Sequence, residues 1–124
     1  MTRVLVVEDD AWIAGLIADE LVGRGYEVDT ASNGVAALQQ VECARPDVIV
    51  LDLMLPTMNG WDFVDRYQEK TAGASLPILV VSAAGGVTRS MESHGVRCYL
   101  RKPFDVAELV HCVAEAAATA TVRV

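Results

Sequence analysis

The chain has 124 residues, 52% of them hydrophobic, and a formal net charge of -7. That length holds one domain with a real core and is too short for two, and the acidic balance argues against a nucleic-acid or anionic-membrane surface. No window approaches membrane-spanning length and no cleavage pattern follows Met1-Thr2-Arg3, so a soluble, cytoplasmic protein is expected.

Arg3 to Val7 is a short apolar run, a first strand that ends in the acids Glu8-Asp9-Asp10. From Trp12 the spacing turns helical, with Ile13, Leu16, Ile17 and Leu21 recurring on one side; Asp10 is a natural N-cap and Gly23-Arg24-Gly25 a stop. Tyr26 to Thr30 alternates as a second strand, and Ser32-Asn33-Gly34 caps a second helix carrying Val35, Leu38 and Val41, ended by Arg45-Pro46. A third strand runs from Asp47 to Leu51, with Asp52 at its exit and Pro56 beyond it. Asn59-Gly60 opens a third helix with Phe63, Val64 and Tyr67 on one face, and Leu76 to Val81 is a fourth strand ending at Ser82. Gly85 to Gly95 should hold a weak, irregular and mobile fourth helix, poor in helix formers and apolar anchors. Arg97 to Leu100 is a short fifth strand. Asp105 with Glu108 then starts a last helix whose Val106, Leu109, Val110 and Val113 form a buried stripe; residues 118–124 read as a frayed end or linker. Cys43, Cys98 and Cys112 lack CxxC pairing and read as small buried hydrophobes of a reducing compartment, not as metal ligands or a disulfide. His94 and His111 share no metal-ligand spacing.

Five strands alternating with five helices predict a doubly wound α/β fold with a parallel sheet of order 2-1-3-4-5, flavodoxin-like. In that order the topological switch lies between the first and third strands, so Glu8, Asp9 and Asp52 would face one another across the crevice. Three converging carboxylates repel one another, and a hard divalent cation such as Mg²⁺ compensates. Ser82 and Lys102 add a hydroxyl and an ammonium at the ends of the next two strands. A carboxylate nucleophile with a cation, a hydroxyl and a lysine beside it suits phosphoryl transfer. Each residue alone has an ordinary structural reading: Asp52 as a turn carboxylate, Ser82 as a strand-end hydroxyl, Lys102 as a surface lysine, Tyr99 as a strand aromatic. Their joint placement at successive strand ends is what favours chemistry.

Glu8-Asp9-Asp10 after Val4-Leu5-Val6-Val7, Leu51-Asp52-Leu53-Met54-Leu55-Pro56, Val81-Ser82-Ala83 and Arg101-Lys102-Pro103-Phe104 together resemble a receiver domain of two-component response regulators. The resemblance spans nearly the whole chain, which reads as a single domain over residues 1–124. It implies that Asp52 takes a phosphoryl group from the phosphohistidine of a sensor histidine kinase or phosphotransfer protein. The domain would catalyse its own phosphorylation and dephosphorylation without being a conventional enzyme. By the same resemblance, Mg²⁺ would be held by Asp9, Asp52, the backbone carbonyl of Met54 and, through water, Glu8. Ser82 and Lys102 would contact the phosphoryl oxygens, and Ser82 with Tyr99 would form the switch. The implied partners are the phosphodonor, a downstream protein or fused effector domain and, on phosphorylation, a second copy of the domain; neither nucleic acid nor membrane is implied for this domain.

The stretch between Ser82 and Lys102 is a little shorter than the family pattern, which bears on dimerisation more than on chemistry. The surface around it should display Arg89, Arg97 and Arg101. A flavodoxin-type electron carrier would need a phosphate-cradling first loop, where Glu8-Asp9-Asp10 would repel an anion. A haloacid-dehalogenase-type phosphatase would need a second aspartate where Met54 stands. The remaining alternative is a phosphorylation-independent receiver-like interaction module. Both a stand-alone receiver and a piece of a longer regulator are compatible with the sequence.

Overall fold

The computed structural model describes residues 2–55, 58, 60–70, 77–82 and 96–122. In chain order its elements are β1 (Arg3–Val7), α1 (Ala11–Gly23), β2 (Glu27–Ala31), α2 (Gly34–Cys43), β3 (Val48–Asp52), α3 (Gly60–Lys70), β4 (Ile78–Ser82), β5 (Val96–Arg101) and α4 (Val106–Val122). All strand pairings are parallel and the order is β2-β1-β3-β4-β5. This is the order the alternation of elements predicts. Four helices lie among the described residues; the expected helix over 85–95 falls outside them, as do His94 and Arg89, and α4 is the helix expected last.

The apolar runs of β1, β3 and β4 divide by strand periodicity into two cores. Leu5, Val7, Ile49, Leu51, Ile78 and Val80 pack with Ala37, Leu38 and Val41 of α2 and with Phe63, Val64 and Tyr67 of α3. Val4, Val6, Val48, Val50, Leu79 and Val81 pack on the other face with Ile17 and Leu21 of α1 and with Leu109, Val110 and Val113 of α4. A strand covered on both faces has no polar side to show, which is why β3 and β4 are buried at every position.

The helix starts follow their caps. Asp10 accepts from the amides of Trp12 and Ile13, at 3.0 and 3.2 Å, and Asn33 accepts from Ala36 at 2.8 Å. Asp105 accepts from the Ala107 amide at 2.9 Å. Gly25, at a φ of 96°, lets the chain leave α1 through the left-handed region that side chains avoid.

Two expectations about faces need correction. Leu16 is 43% exposed and Val35 49% exposed. α1 meets the sheet through the small Ala14 together with Ile17 and Leu21, and this rotates Leu16 out of the core. The reading of the cysteines also changes. Cys98 and Cys112 are joined as a disulfide, and Cys43 is exposed. The register shift between β4 and β5 sets Cys98 opposite Leu79, on the face that α4 covers, so the crossover brings Cys112 back over it. Nothing in the spacing of 14 residues announces that meeting.

Candidate functional site

Parallel register decides which residues meet. Val7 of β1 lies opposite Leu51 of β3, so the next residue of each strand, Glu8 and Asp52, emerges at the same level. Asp52 in turn lies opposite Val81, and Ser82 follows at the end of β4. β5 runs level with β4 to Arg101, after which the Lys102 amide donates to the Ser82 carbonyl at 2.9 Å. Glu8, Asp52, Ser82 and Lys102 thus occupy the carboxyl ends of β1, β3, β4 and β5, beside the switch between β1 and β3.

The carboxylates converge as the strand order predicts. Ligand oxygens of Glu8, Asp9 and Asp52 all lie within 4.8 Å of one another; Glu8 and Asp52 are buried and Asp9 is exposed. The Lys102 ammonium donates to Glu8 Oε1 at 2.7 Å and to Asp52 Oδ2 at 3.1 Å. The amide of Met54 donates to Asp52 Oδ1 at 2.9 Å, so the chain's own turn fixes the carboxylate's orientation. Glu8 is held likewise by the Asp10 amide at 3.2 Å. Asp10 itself serves as the cap of α1 and takes no place in the cluster.

Burial pushes the Glu8 carboxyl above its ordinary value, and repulsion from Asp52 adds to this; the Lys102 and Asp10 hydrogen bonds pull only partly the other way. For Lys102, burial works to lower the ammonium. Its hydrogen bonds and charge attraction to Glu8 and Asp52 outweigh burial and hold it above the ordinary lysine value. The cluster therefore carries three carboxylates against this one ammonium, an excess of negative charge in a partly buried crevice. All-oxygen donors of this kind fit a hard divalent cation.

Ser82 is fully buried at the end of β4, so it sits at the predicted strand end. Tyr99 is half-buried on β5, opposite Val80, and packs against the core layer under α2 and α3. Met54 follows the strand exit and is 61% exposed. The exposed His111 sits 3.5 Å from Glu115 on the surface of α4, apart from the cluster.

Two features of the site escape sequence reasoning. Gly60, at the start of α3, stands so close to the exit of β3 that a Cβ there would lie 2.7 Å from Leu53 Cα and 3.1 Å from the Asp52 carbonyl oxygen. An apolar groove of about 400 Å³ also opens beside the cluster, lined by Trp12, Ile13 and Leu16 of α1, by Pro103, Phe104 and Val106, and by Lys102 itself. Trp12 is 75% exposed there. The only sequence signal for the groove is that Trp12 and Leu16 fall one helical turn apart, next to the acidic loop.

Comparison with known proteins places this geometry in a family. The chain matches the family model described as the response regulator receiver domain over residues 4–114. It is 39% identical over 110 residues to the response regulator MprA of Mycobacterium ulcerans, covering 87% of this chain and 47% of that protein. The chain spans about half the length of the curated relatives it matches. Among solved structures, it superposes on the signal receiver domain of a putative Luxo repressor protein from Vibrio parahaemolyticus with a TM-score of 0.87 and 29% identity, covering 98% of this chain and 93% of the other. The response regulator TrrA of Thermotoga maritima, solved in complex with Mg²⁺ and BeF, gives a TM-score of 0.80 and 31% identity over 94% of this chain and 99% of that one. Near-complete coverage on both sides means that the whole domain, and not a shared βαβ unit, is alike. The chain belongs to the response regulator receiver domains, the signalling modules of two-component systems.

Proposed function

We propose that Asp52 is the phosphoacceptor, that Glu8 and Asp9 hold Mg²⁺ beside it together with the Met54 carbonyl, and that Lys102 and Ser82 bind the phosphoryl oxygens. The observation that carries this reading is the buried Asp52 carboxylate fixed between the Met54 amide and the Lys102 ammonium, within reach of two further acids. A carboxylate oxygen of Asp52 attacks phosphorus, the bond from phosphorus to the donor nitrogen breaks, and an acyl phosphate remains on Asp52. The bound cation supplies neutralisation of the charge shared by the acids and the phosphoryl oxygens. Lys102 has a second task before any donor arrives: its ammonium sets a counter-charge against both Glu8 and Asp52 and holds the Asp52 carboxylate in place. Ser82, rigid at the end of a fully buried strand, donates its hydroxyl to the phosphoryl group, and Tyr99 reports that contact to the surface. The similarity to a receiver solved with Mg²⁺ and BeF supports the assignment by analogy.

The partner reading follows from the groove. Its wall includes Lys102, so a protein that seats an apolar helix face against Trp12, Leu16 and Phe104 would bring a phosphohistidine to Asp52. That occupant is a sensor histidine kinase or a phosphotransfer protein, and the chemistry of a soluble phosphorelay agrees with a cytoplasmic setting. Among the described residues no helix is long and apolar enough to cross a membrane.

The decisive experiment is titration with beryllofluoride in the presence of Mg²⁺, with binding followed by calorimetry. Saturable binding to the native protein that disappears in Asp52→Asn and in Lys102→Met supports the assignment. No binding by the native protein leaves a phosphorylation-independent interaction module.

A further inference from the structure

The disulfide joins Cys98 in β5 to Cys112 in α4, with Cα atoms 6.4 Å apart, inside the range that such bridges span. The ring it closes runs from Cys98 to Cys112. It contains Tyr99, the site lysine Lys102, and the groove residues Phe104 and Val106. Both cysteines are half-buried, so a small thiol or disulfide can reach them, while Cys43 stands exposed elsewhere on α2.

We propose that Cys98 and Cys112 form a reversible redox tether on the segment that presents Lys102, making the site's affinity for a phosphoryl group depend on thiol oxidation. The link to affinity rests on the phosphoacceptor reading given above. A low-molecular-weight disulfide such as oxidised glutathione is the oxidant. The thiolate of one cysteine attacks it and releases one thiol, leaving a mixed disulfide; the thiolate of the other displaces the second thiol and closes the bridge. Two protein thiols are oxidised, and the small disulfide takes the two electrons and two protons as two thiols. Reduction runs the same exchange backwards.

The physical coupling is preorganisation. With the bridge closed, residues 99–111 are bound at both ends and sample fewer conformations, so Lys102 is already held within hydrogen-bond reach of Asp52. With the bridge open, part of that order must be imposed when the anion binds, and binding weakens. Coupling of this kind is reciprocal: an occupied site must make the bridge harder to reduce by the same factor.

The test equilibrates the whole chain in glutathione buffers of graded ratio, alkylates free thiols and reads intact mass. Mg²⁺-beryllofluoride affinity is then measured on the oxidised and the reduced protein. Cys43 alone should be alkylated in the oxidised form and all three cysteines in the reduced one. The oxidised form should bind about fivefold or more tightly, the lower end of ordinary site-to-site coupling. Cys112→Ser should bind like the reduced protein at every ratio, and Cys43→Ser should behave like the native one. Alkylation of all three cysteines across the whole range overturns the proposal, as does equal or weaker binding by a verified oxidised form. If neither form binds beryllofluoride, the phosphoacceptor reading fails, and amide hydrogen exchange over residues 99–111 decides the tether: faster exchange on reduction upholds it, and equal exchange overturns it.

Discussion

Because Lys102 donates to both Glu8 and Asp52, its removal leaves two buried carboxylates facing each other without a counter-charge. Breaking a buried pair from one side costs about 3 kcal/mol, much of it the unpaired charge left behind. Lys102→Met should therefore lower metal-free stability by about that much near neutral pH, read by urea denaturation. The same pair sets an alkaline limit. The folded state raises Lys102 above its ordinary value of 10.5, so the ammonium's contribution is complete below that value and is lost as pH rises through the folded value. Native protein should lose stability there more steeply than Lys102→Met does. Parallel slopes for the two would remove Lys102 from the account. The sequence shows a lysine just beyond a strand; that it meets two acids, Asp52 lying 50 residues earlier and Glu8 earlier still, comes only from strand order.

At the scale of elements, the joint between β3 and α3 brings the backbone of Gly60 against that of Leu53 with no room for a side chain. Gly60 donates to the Leu53 carbonyl at 2.9 Å, and a side chain there would press on backbone, which cannot swing aside as a long side chain would. Gly60→Ala should cost about 1–3 kcal/mol, the usual range for overpacking, and should loosen the loop that carries Met54. A melting temperature equal to the native one would show that α3 shifts freely. The strands were legible because continuous apolar runs with β-branched residues, each ending in a polar residue, have few other uses. The helix faces were less so. Spacing marks a stripe on α1, yet the small Ala14 sets which side meets the sheet, and this frees Leu16 and Trp12 to wall the groove. If that groove seats the phosphodonor, Trp12→Ala should slow phosphoryl transfer from a protein donor by about tenfold or more, the loss of one aromatic anchor. Phosphorylation by a small donor such as acetyl phosphate should stay unchanged. Equal slowing with both donors would mean that Trp12 acts on the site and not on docking.

At the scale of the molecule, the two ends of the sheet treat charge differently. At the amino ends Arg3 meets Asp29 at 2.9 Å and Glu27 at 3.0 Å, and its amide meets Asp47. These partly exposed contacts spread the acids along an edge, where water screens them. At the carboxyl ends β1 and β3 deliver Glu8, Asp9 and Asp52 into one crevice, with Lys102 as the cation that contacts the buried pair. A fold that keeps such an imbalance is less stable empty than filled, which is a statement about linkage. Mg²⁺ that binds only the folded site should add roughly 1.4–2.7 kcal/mol of stability at about ten to a hundred times its dissociation constant. Asp9 is the member of the cluster that carries little structural duty, being exposed at the start of the loop. Asp9→Ala should therefore leave the metal-free melting temperature nearly unchanged, or raise it slightly by relieving repulsion, while abolishing the rise with Mg²⁺. The comparison separates a metal site from general screening, because salt at matched ionic strength should affect both proteins alike. A native protein whose melting temperature ignores millimolar Mg²⁺ would leave the three carboxylates without their cation.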